Sequence, residues 1–266
     1  MSVKCADIAG FIEEKAPRHL AEYWDNVGLI IGSPRHEVSR VMVCLDVTLK
    51  VVVEAVEKKA DFILSHHPVI FKDIKSINDD DFKGKIIYEL IKNGINVYSA
   101  HTNLDVAVGG INQSLAELLE LIEVKNLNDY KEDRLRKQYG HGMVGLLEAS
   151  MKPEEFIKML KDKLNVKHLR LVGALNKEIR RVAVFCGSFD ENWSGIEQSG
   201  ADVLVTGDLK HHTAIDATGK GICIVDAGHY ATERIIIPRL VKAVSKRFPD
   251  VDVFCSTVED DPFKTV

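Results

Sequence analysis

Short apolar runs along this chain alternate with longer stretches of helical spacing, and the order strand, helix, strand occurs twice. From Val38, VSRVMVCLD is an apolar run with a basic flank, TLKVVVEAVEKKA has helical character, and ADFILS has the composition of a buried strand. From Ile179 the order returns as IRRVAVFCG, a region ending in IEQSG, and ADVLVT. The two passages align without a gap. Arg40, Val41 and Val43 fall on Arg181, Val182 and Val184, Ala60-Asp61 fall on Ala201-Asp202, and Gly32 falls on Gly173, all at one constant offset. Further along, INVYSAHTNLD matches CIVDAGHYATE, which sets His101 on His229 and Asp105 on Glu233.

A repeat on this scale predicts two similar supersecondary units, each β-α-β followed by another strand. The expected fold class is therefore α/β, with two similar lobes from an internal duplication and helices covering the sheets in three α/β/α layers. Pro153 followed by Glu154 and Glu155 marks a helix start before FIKMLKDKL. The stretch from Glu123 to Tyr139 is polar and charge-rich, which makes it the expected connection. The boundary is placed near Asn126, giving lobes over 1–126 and 127–266, with the C-terminal segment free to pack back on the first lobe. YGHGMVG has GxGxxG spacing, but a charged segment precedes it where a strand should stand, and MVGLLEA after it reads as a strand. Its glycines are expected to permit close backbone approach rather than to cradle a dinucleotide.

Composition narrows the function classes. With 45% apolar and 28% charged residues over 266 positions, the chain is not mainly disordered and can bury a real core. A net charge of -5 and a pI near 6.1 provide no global attraction for nucleic acid or an anionic membrane. Cys5, Cys44, Cys186, Cys223 and Cys255 are odd in number, widely spaced and mostly in apolar runs, as reduced core cysteines of a cytoplasmic protein would be. The opening MSVKCADIAGFIEEKAP carries acidic residues where a signal core would be apolar, and no window reaches membrane-spanning length, so export and insertion are not expected.

Candidate chemistry lies in His66, His67, His101 and Asp105 of the first half and His229 and Glu233 of the second, where an H-x-x-x-acid unit occurs twice. Imidazole nitrogens and carboxylate oxygens together suit first-row divalent metals, and a carboxylate can bridge two ions. His66 and His67 end an apolar strand before Pro68, while His101 and His229 follow strands, so all stand at strand carboxyl ends, where open α/β sheets bind ligands. Two adjacent histidines serve one site only if the strand ends or bends there, which Pro68 favours. Without a cysteine-rich closed ligand set, the pattern suits open metal positions at a lobe interface and hydrolysis by metal-activated water. In the second half Gly207 and Asp208 stand where His66 and His67 stand in the first, followed by Lys210, His211 and His212. Lys210 is a candidate anion contact and His212 a candidate proton donor.

SHHPVIF, AHTNLDVAVGGINQSLAELL, TGDLKHHTAIDA, DAGHYATER and, near the start, WDNVGLIIG together resemble the dinuclear metal-centre family of type 2 GTP cyclohydrolase I, the Ngg1-interacting-factor-like proteins. The likeness runs from about Ala6 to the C-terminus. It implies metal ligation by His66, His67, Asp105, His229 and Glu233, with Glu233 bridging and His101 a ligand or a neighbour of one. It also implies two divalent cations per subunit (zinc, iron or manganese), a toroidal homohexamer, and hydrolysis of a small molecule such as the purine ring of a nucleotide. A non-catalytic metal-carrying scaffold or regulator is the alternative class. Neither membrane nor nucleic acid is an expected partner.

Overall fold

Asp61 and Asp202 do the same work in two places. Asp61 Oδ1 and Oδ2 accept from the backbone N–H of Arg40 and Ser39, and Asp202 Oδ2 accepts from those of Arg180 and Arg181. Each aspartate thereby sets the start of one strand against the next. The structure in which they are seen is a computed structural model that describes residues 2–127, 131–132 and 138–264. The most charged part of the expected connector, residues 128–130 and 133–137, lies outside the described residues.

In chain order the elements are α1 (Cys5–Lys15), a 3-10 turn (Arg18–Leu20), β1 (Gly28–Ile31), β2 (Arg40–Cys44), α2 (Leu49–Glu57), β3 (Phe62–Ser65), α3 (Phe82–Lys92), β4 (Asn96–Ser99) and α4 (Thr102–Val106). Next come α5 (Ile111–Leu118), β5 (Ile122–Asn126), β6 (Lys131–Glu132), β7 (Gln138–Tyr139), β8 (Met143–Met151), α6 (Pro153–Leu164), β9 (Arg170–Val172) and β10 (Ile179–Ser188). The chain continues through α7 (Trp193–Ser199), β11 (Val203–Gly207), α8 (His211–Lys220), β12 (Ile224–Asp226), α9 (His229–Glu233), α10 (Ile236–Arg247) and β13 (Asp252–Cys255). They form two units, one reaching to Ala107 and resuming over Ile236–Asp260, the other spanning Val108–Ile235 and the residues from Asp261.

The first unit carries a five-stranded sheet in the order β1-β4-β3-β2-β13, with β13, β2, β3 and β4 parallel and β1 antiparallel to β4. Parallel strands buried on both faces read as continuous apolar runs, and ADFILS is one such run. Met42, Cys44, Ile63 and Val97 point to the face packed against Val51, Val52 and Ala55 of α2 and Ile86, Ile87 and Leu90 of α3. α10 packs on β2 and β13, while Tyr98 of β4 donates to Glu13 of α1. α2 begins where its sequence says it should: Thr48 Oγ1 accepts from the N–H of Val51 as an N-cap. α10 is amphipathic and buries Ile236, Ile237, Leu240 and Val244, each contributing on the order of 1.5–3 kcal/mol.

The second unit carries a six-stranded sheet in the order β5-β8-β10-β11-β12-β9, with β10, β11 and β12 parallel and the rest antiparallel to their neighbours. A two-stranded ladder, β6-β7, stands apart from it. One face of the sheet buries Val144, Ala183, Leu204 and Ile224 with Ile196 of α7 and Ala217 of α8; α5 and α9 pack on β10. Pro153 occupies the first turn of α6, as its sequence predicts. MVGLLEA is strand β8, and a Cβ on Gly145 would meet Ile122 O at 3.0 Å, so that glycine does serve close strand approach. The chain is thus a mixed α/β fold of two sheets with helices.

The strand frames correspond. Val41 pairs with Phe62 and Val182 with Val203, so aligned residues hold aligned partners, and β1 and β9 each close their parallel set antiparallel to β4 or β12. The division between units differs from the sequence expectation. It falls at Ala107/Val108 rather than near Asn126, because α5 and β5 pack on β8 and β10, and Asn112 Oδ1 accepts from the N–H of Cys186 at 2.8 Å. Just past this division Gly109 takes φ +77, a conformation glycine supplies readily. Among the described residues no helix is long and apolar enough to cross a membrane. Cys5, Cys44, Cys186 and Cys223 are buried thiols, whereas Cys255 is exposed. Burial pushes the thiols of Cys5 and Cys223 up to about 11, which makes them poor nucleophiles.

Candidate metal centre

Because β2, β3 and β4 are parallel, the residues that follow them emerge at one sheet edge: Asp46 after β2, His66-His67 after β3 and His101 after β4. The ladder continues one step past the strands. His66 N–H donates to Cys44 O at 3.1 Å, His67 N–H to Leu45 O at 2.9 Å, and Ala100 N–H to Ser65 O at 3.0 Å. The chain then turns at Pro68, and the rings of His66 and His67 come to the same place, 4.7 Å apart between centroids. Those of His66 and His101 are 5.2 Å apart, and each of the three histidines offers a nitrogen within 4.8 Å of the others.

Every one of these rings is held from behind. His66 Nδ1 lies 2.8 Å from Ala100 O, His67 Nδ1 2.9 Å from Asp46 Oδ1, and His101 Nδ1 2.8 Å from Asp25 Oδ1. A carbonyl only accepts, so His66 carries its hydrogen on Nδ1 and presents the Nε2 lone pair; the carboxylates select the same tautomer in the other two. His66 is fully buried, with Nε2 3.6 Å from Asp105 Oδ1. Asp105 reaches there from α4, which His101 caps.

The supports are themselves anchored. Asp25 accepts from the N–H of Thr102 at 3.0 Å and from its hydroxyl as well as from His101. Burial raises the Asp25 carboxyl, but the bonds from His101 and Thr102 outweigh it and leave the group below its ordinary value. Asp46 N–H and Leu45 N–H both donate to Glu259, whose carboxyl burial pushes up.

In the second unit β10, β11 and β12 are also parallel and end at one edge. His229 opens α9 there and Glu233 closes it, and the two meet at 2.9 Å, Nε2 to Oε2. His229 Nδ1 lies 3.1 Å from Asp208 Oδ2. Glu233 is buried against Gly187, where a Cβ would come within 2.1 Å of Oε1 at a φ of +63. Glycine is needed there both for the conformation and for the space. Gly207 is equally constrained, since a Cβ would lie 2.6 Å from Gly228 C and His229 N. Asp226 fastens the two loops that carry these groups: it accepts from Leu209 N–H at 3.1 Å, from Gly228 N–H at 2.9 Å, and from Arg170.

Each sequence-predicted ligand therefore stands at a parallel-strand edge of its own unit: His66, His67, His101 and Asp105 together in the first, His229 and Glu233 together in the second. Lys210 caps α8 and His212 lies in its first turn, both exposed. Sequence reasoning did not single out Asp25, Asp46 or the carbonyl of Ala100. It read Asp208 as standing where a ligand would be, and the structure sets that carboxylate against His229 Nδ1. The available signal was Asp208's place in the alignment, directly opposite His67.

The donor set fits a divalent cation: imidazole rings each held through Nδ1 by an oxygen acceptor, with carboxylate oxygens beside them. What fold and residues define first is a class, an α/β protein of two units with buried histidine and carboxylate groups able to hold a metal ion. The chain belongs to the DUF34/NIF3 family (NGG1p interacting factor 3), whose model matches residues 3–262, and the resemblance carried by the sequence motifs is thereby established. It is 36% identical to a Clostridium perfringens protein described as a GTP cyclohydrolase 1 type 2 homolog, over 99% of this chain and all of that one. Among solved structures it is similar to a Bacillus cereus protein related to NIF3 (TM-score 0.93, 28% identity, 100% and 99% of the two chains). A Staphylococcus aureus hypothetical protein matches with a TM-score of 0.92 and 34% identity over 100% of both chains.

Proposed function

We propose that this chain is a divalent-metal-dependent hydrolase whose two units, products of an internal duplication, jointly hold a pair of cations at their interface. The observation that carries the reading is the fixed tautomer of three histidines. Nδ1 of His66, His67 and His101 each faces an oxygen acceptor, which leaves Nε2 as the coordinating atom, while His229 is held between Asp208 at Nδ1 and Glu233 at Nε2. Surface histidines have no need of such uniform support.

In this reading His66, His67, Asp105, His229 and Glu233 would hold the metals, with His101 a further ligand or a neighbour of one. Divalent zinc, iron or manganese bound there would supply Lewis acidity and lower the pKa of water toward neutrality. The chain's own groups do the rest. Asp25, Asp46 and Asp208 keep the imidazoles aimed. Lys210, at the mouth of α8, contacts an anionic substituent of the substrate, and His212 delivers a proton to the departing atom. A nucleotide whose purine ring is opened by water is the substrate class suggested by the name of the Clostridium perfringens relative. The working form is a cytoplasmic toroidal homohexamer.

The test is elemental analysis of the purified protein, then a metal-reconstituted screen against GTP, other nucleotides and phosphoesters. Metal-dependent turnover of one of these is the expected result. Full metal occupancy with no turnover of any would instead make the chain a metal-carrying scaffold, and failure to bind metal would end the reading.

A further inference from the structure

The run Trp24-Asp25-Asn26 is built into the first unit's histidine edge by all three of its side chains. Asp25 holds His101, and Asn26 Nδ2 donates to Ile70 O at 2.7 Å, tying this loop to the one that leaves His67. Trp24 packs edge-on against Phe71 at 5.7 Å between centroids and against His101 at 6.3 Å, and Phe71 lies 6.1 Å from His101. Two large rings fixed against a candidate metal ligand would be expected to be covered, yet Trp24 is 48% and Phe71 49% exposed. Large aromatics left open beside a polar cluster mark a place where something binds.

We infer that Trp24 and Phe71 form a stacking wall for a planar heteroaromatic ring, the part of the substrate that reaches the metal ligands; this rests on the hydrolase reading above. Several observations select that occupant. The wall is small, only two side chains, which suits a single ring and not a protein surface. It touches His101 directly, so a ring lying on it is presented to the histidine cluster. The crosslink between Asn26 and Ile70 fixes both loops before any ligand arrives, and pre-ordered aromatic faces bind flat rings without the entropy cost of ordering them.

The chain has two tryptophans, and Trp193 packs against Phe189 at 5.1 Å in the second unit, so Trp193→Phe leaves Trp24 as the single reporter. Metal-loaded Trp193→Phe protein would be titrated with guanosine, GTP, adenosine, uridine and, as ring-free control, ribose 5-phosphate, following tryptophan emission. At least one of the ring compounds should quench Trp24 saturably and ribose 5-phosphate should not. Trp24→Ala and Phe71→Ala, tested by calorimetry with the same ring compound, should weaken its binding about 5- to 100-fold, while Trp24→Phe loses little and metal content stays unchanged in all three. Saturable binding that neither alanine variant weakens would overturn the wall. So would emission that ignores every ring compound, or that responds only to dilution, as burial in a subunit contact would produce. These failures are separable from failure of the hydrolase reading, which metal content and the turnover screen on the unmutated protein decide together.

Discussion

The two sheet edges share one hydrogen-bonding frame and finish it with different residues. Past the first unit's central strands stand Asp46 and His66-His67; at the aligned positions of the second stand Gly187 and Gly207-Asp208. In the first unit the carboxylate follows β2 and orients a histidine that follows β3. In the second the carboxylate follows β11 and orients the histidine that follows β12, while the glycines make room for Glu233 and for the start of α9. An unchanged backbone thus accommodates either a ligand or the group that steers one.

Removing a buried ligand should have the largest effect on this pairing. His66→Ala is expected to weaken metal binding by more than the roughly 10- to 100-fold typical of groups that only orient a ligand, measured by competition with a chromogenic chelator. Gly187→Ala comes next. With Oε1 of Glu233 at 2.1 Å from the new Cβ and φ at +63, Glu233 must shift, and stability should fall by about 1–3 kcal/mol together with metal occupancy. Asp46→Asn and Asp208→Asn should each lower affinity by about 10- to 100-fold. Equal losses in the two would show that the orienting roles are equivalent, and a loss in only one would break the parallel.

A smaller effect distinguishes the units in the opposite sense. Glu54 of α2 is buried and accepts from Lys58, Ser256 and Thr257, where the second unit has Gly195. Burial raises its carboxyl, but these bonds outweigh burial and hold it at about 2. Its folded value lies below the ordinary one near 4.5, so its contribution is complete above that pH and is lost as pH falls toward about 2. Glu54→Gln should cost on the order of 1–2 kcal/mol at neutral pH, and urea melts should show the difference from wild type shrinking in acid. Smallest for the fold is His212→Ala, at an exposed position. It should leave stability and metal content unchanged while lowering turnover about 100-fold or more.

Alternating strands and helices were legible because apolar runs and the Pro153-Glu154-Glu155 start are local signals. The histidine and carboxylate groups gathered at each sheet edge were legible because those residue types repeat at matching places. Their supports were not. Asp25 reaches His101 across 76 positions and Asp46 reaches His67 across 21, and nothing in the residues flanking either aspartate declares that distance. The crossing between units was misread for a related reason. Charge density drew attention to the connector after Asn126, while the division falls between Ala107 and Val108, in a short run without charge.

The most direct measurement is anomalous diffraction from crystals grown with manganese or zinc. Two peaks are expected, each within about 2.0–2.3 Å of ligand atoms, with Nε2 of His66 and His67 and the carboxylates of Asp105 and Glu233 around them and His229 completing the set. Ions bound through Nδ1, or no peak near these residues in fully loaded protein, would contradict the proposed metal centre.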